Sequence, residues 1–358
     1  MPGLVRQGCL CTKPGTVGHR PCEIGMQQPE QVGVTYRRDS SMVQLGYTLS
    51  AEEFGPQDLA DQAAMAEAAG FSFASISDHF HPWLDSQGHS SFVWTALGAI
   101  SQRTSHMLIG TGVTAPIIRY HPAILAQAVA TVADLLPGRF YFGVGTGEAL
   151  NEHITGQQWP PLSVRQEMMT EAIALIRKLW EGEYTTEHGK FYTVENARIY
   201  TLPDQLPPIY VAASGPQAGK LAAKIGEGLI STSPDKETVE AYTTMGGKEP
   251  VIGQITVCWG KDEQEQVEIA KKYWGYTILP GQFSQELALP LYFEQGLELA
   301  SNENVGQAIT CGPDVERYHQ QIQTYIDAGF THVYLHQVGP DQQGFIDFAK
   351  REILPNYA

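Results

Sequence analysis

From Val43 onward, short apolar runs alternate with longer stretches in which apolar residues recur every three to four positions. Continuous apolar runs of this kind mark parallel strands buried on both faces, because helices cover each side of such a sheet. They occupy 44–49, 73–76, 107–110, 140–144, 209–212, 228–231, 251–257 and 332–335, eight in all. Helical patterns lie between them. "PQDLADQAAMAEAAG" puts Leu59, Ala63 and Ala66 on one stripe and stops at Gly70. "SVRQEMMTEAIALIRKLW" sets Ser163 three residues before Gln166, a capping-box spacing that predicts a helix opening at Ser163. Val164, Met168, Ala172, Leu175, Ile176 and Leu179 then share one face. Residues 314–328, closed by Gly329, predict another helix. Eight strands alternating with helices predict an α/β fold, a (β/α)8 TIM barrel, with an open doubly wound sheet as runner-up. Two stretches break the alternation and are expected to be loop insertions: 183–208, with short strand-like pieces, and 273–310, partly helical.

The first 42 residues follow neither period and are rich in Gly, Pro and Gln. They read as a disordered extension ahead of one barrel domain spanning 43–358, with Met42 as an alternative start. The extension lacks the apolar core of a secretory signal, so the protein is expected in the cytoplasm. The apolar runs are far shorter than a membrane span. The net charge of −16, from 23 basic and 39 acidic residues, argues against a nucleic-acid partner. Of five cysteines, Cys9, Cys11 and Cys22 crowd the N-terminus near His19. A zinc set is conceivable there, but reduced thiols on a loose tail are the plainer reading.

The chemistry concentrates where the predicted strands stop, which in such a barrel is where reactive groups collect. The first strand runs into Ser50, Glu52 and Glu53; the second delivers Asp78, His79, His81 and Trp83 in "SISDHFHPW". The fourth gives "GVGTGEALNE", with Thr146, Glu148, Asn151 and Glu152, and the fifth "AASGPQAGK", with Ser214, Gly215 and Lys220. Each residue alone has a structural explanation: Asp78 as a cap, His79 as a hydrogen-bonded core histidine, Glu148 as a first-turn acid. Their recurrence at successive strand ends favours a site. A His-x-His metal clamp needs further ligands on later strands, and those ends supply mainly Ser and Gly, so no metal is expected.

"LGYTLSAEEF", "SDHFHPW", "GTGVTAPIIRYHPA", "GVGTGEALNE" and "AASGPQAGKLAAKIGEG" together resemble the luciferase-like barrel superfamily. Within it they are similar to the F420-dependent glucose-6-phosphate dehydrogenase family, from Val43 to the C-terminus. The resemblance implies a (β/α)8 barrel and an enzyme using coenzyme F420, a 5-deazaflavin. It implies that Asp78 contacts the deazaflavin and that His79 is the proton partner of the substrate hydroxyl, with Trp83 and Glu52 lining the reacting centre. Glu148 would face the pyrimidine end of the ring, with Thr146 and Asn151 nearby. Gly112–Val113 would form the bulge behind the ring, often a non-proline cis peptide, and Ser214 and Gly215 would hold the phosphate-bearing tail. A homodimer is expected because such barrels often dimerise.

The residue types fit that chemistry in their own right. Oxidising an alcohol removes a hydride from carbon and a proton from oxygen; the cofactor takes the first, and a histidine suits the second. A buried glutamate with a raised pKa would offset charge on the reduced ring, the role expected of Glu148. An FMN-dependent luciferase-like monooxygenase is the alternative on the same barrel. A sugar-6-phosphate dehydrogenase is another, but its phosphate would need three basic side chains. Lys220 matches one of them, whereas 273–316 contains no Lys and no Arg, with Lys272 and Arg317 at its edges. That stretch offers Tyr276, Leu279, Phe283, Leu289, Tyr292 and Phe293 instead, a lining expected to suit a non-phosphorylated alcohol or sugar.

Overall fold

The structure is a computed structural model that describes residues 42–357. The expected N-terminal extension, with Cys9, Cys11, Cys22 and His19, lies outside the described residues. Eight parallel strands close into a barrel: Gln44–Leu49, Phe73–Ile76, Leu108–Thr111, Phe140–Val144, Ile209–Ala212, Gly228–Ser231, Val251–Cys258 and His332–Gln337. Each pairs with the next in this order, and the eighth pairs back onto both the first and the seventh. The runner-up open sheet is therefore overturned.

Helices follow the predicted stripes. Pro56–Ala69 buries Leu59, Ala63 and Ala66 and ends at Gly70, whose φ of 108° needs a residue without a Cβ. Val315–Asp327 is capped by the Asp314 carboxylate on the Glu316 amide. The capping-box expectation at Ser163 fails. The helix spans Leu162–Leu179 with Pro161 as N-cap, and Ser163 lies inside its first turn. Proline fixes its own φ near the helical value, so the Pro161 carbonyl already accepts from Val164 and Arg165.

The barrel interior is filled by Phe73, Tyr141, Tyr210, Ile230, Ile252 and Tyr334. These large side chains fit because neighbouring strands carry glycine opposite them: a Cβ on Gly110 would lie 2.3 Å from the Tyr141 ring. The larger apolar cluster lies between strands and helices. The stretch 183–208 contains an antiparallel pair, Thr185–His188 with Thr193–Ala197. The stretch 273–310 holds a 3-10 turn, three short helices (Gly281–Ser284, Pro290–Leu297 and Asn302–Ala308), and the start of the two-residue strand Thr310–Cys311 beside the seventh strand.

Register decides what meets at the mouth. Leu49 pairs with Ile76, and Ile76 with Thr111, so three strands end level. Val144 pairs with Val211 and bridges Thr114. The residues after these strands therefore converge on one rim, the C-terminal end of the barrel.

Candidate active site

His79 emerges from the second strand with its ring committed on both sides. Its Nδ1 is 3.2 Å from the His81 carbonyl oxygen. A carbonyl only accepts, so Nδ1 donates in this contact and Nε2 is the ring nitrogen left for a second partner. That Nε2 lies 3.5 Å from Glu52 Oε1. Glu52 is buried and held in turn by Ser50 Oγ at 3.2 Å and Ser77 Oγ at 2.5 Å, both donating to Oε2. The His79 ring packs on Trp83, with centroids 4.9 Å apart. Trp83 stacks on Tyr276 at 4.7 Å and meets Phe293 edge-on at 5.2 Å. The insertion thus supplies an aromatic wall over the second-strand loop. Burial raises the Tyr276 phenol far above its ordinary range, and the charges of Glu52, Glu148 and Glu53 add to that. Its hydroxyl therefore shares a region with these carboxylates.

The two rings of the His-x-His pair diverge. His81 bonds the Leu150 carbonyl at 2.9 Å and stacks on His153, away from Glu52. Among the described residues, no group of three His, Cys, Asp or Glu side chains is placed to hold a metal ion.

Asp78 is buried and fully engaged. Its Oδ2 accepts from Thr114 Oγ1 at 2.8 Å; its Oδ1 accepts from Arg119 Nη2 at 3.0 Å and from the Tyr120 hydroxyl at 3.1 Å. Glu148 is half-buried and stands at the N-cap position of the short helix Ala149–Glu152, its side chain making no capping bond. Burial pushes the neighbouring Glu152 carboxyl up to about 7, with Arg119 opposing and the charges of Glu148 and Asp78 adding to the rise. Burial likewise raises Glu53 to about 8, against hydrogen bonds from Trp274 Nε1 and the Gly339 amide. Asn151 is buried; its Oδ1 accepts from the Phe80 and His81 amides at 2.8 and 3.2 Å, and its Nδ2 has no partner.

The Gly112–Val113 peptide bond is cis. Val113 reaches over Gly145, where a Cβ would come within 2.7 Å of its Cγ2. Thr146 is half-buried beside this turn. Gly215, with φ of 92°, opens the helix Pro216–Ile225, and a Cβ there would meet nothing within 4 Å. Open space over a helix N-terminus suits an anionic group. Ser214 and Lys220 are exposed on the same segment, and no hydrogen bond or ion pair joins Lys220 to the His79 cluster among the described residues.

Of the expected lining, Tyr276 and Phe293 are buried and Leu279 is half-buried. Phe283, Leu289 and Tyr292 are exposed, at 52%, 38% and 43%. Four polar residues of the site went unassigned in the sequence: Ser77, Thr114, Arg119 and Tyr120. A lone Arg in the apolar run "APIIRY" was the available signal.

A closed (β/α)8 barrel with an imidazole–carboxylate pair, an aromatic wall and a glycine-opened helix at its C-terminal mouth defines a cofactor-using barrel enzyme. Residues 40–332 match the luciferase-like monooxygenase family, and the chain belongs to it. It is 35% identical to an F420-dependent glucose-6-phosphate dehydrogenase of Microbacterium testaceum, over 87% of this chain and 97% of that one. It is 36% identical to the protein of the same name from Beutenbergia cavernae, over 88% and 97%. The structure superposes on an F420-dependent secondary alcohol dehydrogenase in complex with an F420-acetone adduct. That match has a TM-score of 0.81 and 32% identity, covering 87% of this chain and 98% of that one.

Proposed function

We propose that this protein is a coenzyme F420-dependent dehydrogenase that takes a hydride from the carbinol carbon of a non-phosphorylated alcohol or sugar. F420 dependence is common to the relatives at 32–36% identity, whether named for a sugar phosphate or for an alcohol. The residues fit such a cofactor: the unpartnered Asn151 Nδ2 offers a donor, and the open Gly215 turn leaves room for the phosphate-bearing tail. Asp78, Thr146, Asn151 and the Gly112–Val113 turn are assigned to the ring, and Ser214 and Gly215 to the tail. When bound, the deazaflavin supplies the hydride acceptor.

This chain's side chains handle the proton. His79 Nε2 receives it from the substrate hydroxyl, and Glu52, 3.5 Å away, stabilises the imidazolium that results. Trp83, Tyr276 and Phe293 exclude water and orient the carbon skeleton. Glu148 is assigned to the pyrimidine end of the ring, where its carboxyl group would face the charge gained there.

The observation that carries the choice of substrate is the state of the basic side chains around the insertion. Arg317, at one edge, pairs with Glu263 at 2.5 Å and bonds the Cys311 carbonyl. Lys272, at the other edge, rests on Tyr273, with Nζ 3.2 Å from its hydroxyl. Arg165 reaches the insertion from its own helix, but its guanidinium is 3.1 Å from both Glu286 and Gln285 and stacks on Trp159. Arg119 is paired with Asp78. Lys220 is exposed and makes no ion pair among the described residues, but each of these arginines would have to give up an existing partner before gripping a phosphate dianion, forgoing charge-assisted bonds of about 1.5–3 kcal/mol each.

Oxidised F420 mixed with the protein and a panel of secondary alcohols, neutral sugars and sugar phosphates tests the reading by loss of the cofactor's visible absorbance. Reduction by neutral substrates is expected. A micromolar KM for glucose 6-phosphate with fast turnover would replace the reading by the sugar-phosphate one. Binding of FMN in place of F420 would replace it by the monooxygenase.

A further inference from the structure

Arg119 follows the third strand and touches neither end of the assigned proton path, yet it joins both. Its Nη2 donates at 3.0 Å to the Asp78 carbonyl oxygen and at 3.0 Å to Asp78 Oδ1. Asp78 immediately precedes His79. On its other side, Arg119 Nε lies 3.4 Å from Glu152 Oε1, an ion pair without hydrogen-bond geometry. The Arg119 amide donates to Glu152 Oε2 at 2.7 Å, and the Ile118 amide at 3.3 Å. Glu152 ends the short helix that Glu148 precedes, and the Glu152 amide bonds the Glu148 carbonyl at 3.1 Å. The side chains of Arg119, Asp78 and Glu152 are only 6%, 1% and 1% exposed.

We propose that Arg119 is a positioning residue for the reaction, a clamp that fixes the His79 loop against the helix carrying Glu148. Burying three ionisable groups is costly, and well-packed apolar residues serve stability at least as well. What the ion cluster adds is direction. A planar guanidinium with a rigid fork constrains two partners at once, which an ammonium does not. Tyr120 and Thr114, from the same segment, donate to the remaining Asp78 acceptor sites, so the carboxylate cannot rotate away from the fork. The cis Gly112–Val113 turn and Arg119 lie on one continuous stretch, so this segment meets the site at the turn and at the clamp.

The inference rests on His79 as the proton partner, and the test separates the two. Arg119→Lys and His79→Ala are made singly and together, and F420 reduction is followed in single turnovers. Arg119→Lys is expected to slow turnover about tenfold or more, with KM within about threefold of wild type. In the His79→Ala background it should add less than about twofold, because residues that act as a unit are non-additive. Losses that multiply in full would overturn the clamp while leaving His79 in place. Wild-type turnover in His79→Ala alone would overturn both. Thermal unfolding of each variant checks the fold; if Arg119→Lys does not fold, Glu152→Gln, which removes the clamp's second carboxylate, is carried through the same cycle with the same expectation.

Discussion

Removing the His79 imidazole separates binding from chemistry. In the structure the ring makes two polar contacts, to the His81 carbonyl at 3.2 Å and to Glu52 at 3.5 Å, and packs on Trp83 at 4.9 Å. It is half-buried, and its one polar contact across strand ends, to Glu52, is at 3.5 Å, so His79→Ala is expected to cost about 1 kcal/mol of stability. The groups assigned to the cofactor are other residues: Asp78 keeps its three donors, Asn151 keeps the Phe80 and His81 amides, and the Gly215 turn is untouched. F420 affinity should therefore stay within about threefold. Turnover should not. A missing proton acceptor typically costs about 10²–10⁴-fold, or about 2.7–5.5 kcal/mol of barrier. Glu52 remains, but its carboxylate is held by Ser50 and Ser77 and stands one imidazole farther from the hydroxyl, so it replaces His79 poorly. The assay pairs a fluorescence titration of F420 with stopped-flow reduction at saturating alcohol. Turnover within about threefold of wild type, with the cofactor bound, would refute the assignment of His79.

Glu148→Gln is expected to keep F420 bound and to lower turnover by about 10²-fold or more, read by the same titration and rapid-mixing pair. Phe293→Ala removes a ring with no exposed surface that braces Trp83 and Tyr276; it should cost about 3–5 kcal/mol in denaturant unfolding and raise KM for the alcohol. Stability should fall as pH rises. The buried carboxyls of Glu53 and Glu152 are raised from 4.5 to about 8 and about 7, so between pH 4.5 and these values the folded chain holds more protons than the unfolded one. Each contributes a slope on the order of 1.4 kcal/mol per pH unit across its window, which levels off above it. A melting temperature constant from pH 5 to pH 8 would contradict this, and Glu152→Gln should flatten the lower part of the curve.

The barrel was legible in the sequence because strands buried on both faces must be apolar throughout. Five of the eight expected runs coincide with the observed strands. The third begins one residue late because the Met107 amide donates to Glu67 Oε2 at 2.7 Å rather than to the sheet, and no local pattern announces a partner forty residues away. The helix expected at Ser163 opens earlier because the proline before it outweighs the capping spacing. The rim residues Glu52, Asp78, His79, Glu148 and Asn151 could be found as polar interruptions at strand ends. Arg119 could not be placed in the same way. Its role depends on two carboxylates from different loops, Asp78 and Glu152, and only the closed barrel brings those together. The exposure of Phe283 and Tyr292 was hidden for a related reason: helices of four to eight residues are too short for periodicity to reveal which face is covered.

The proposed preference for a non-phosphorylated substrate rests on which charges are already cancelled. Acidic residues outnumber basic ones 39 to 23 in this chain, and three arginines near the insertion and the rim have carboxylate partners: Arg119 with Asp78, Arg165 with Glu286, Arg317 with Glu263. An arginine paired in this way orients loops instead of gripping an anion, because a phosphate would have to break the existing pair before making its own. Whether an arginine serves recognition or architecture is thus set by its neighbours. The difference lies in whether an acid such as Glu286 stands within 3.1 Å, which counting Lys and Arg along a sequence does not reveal.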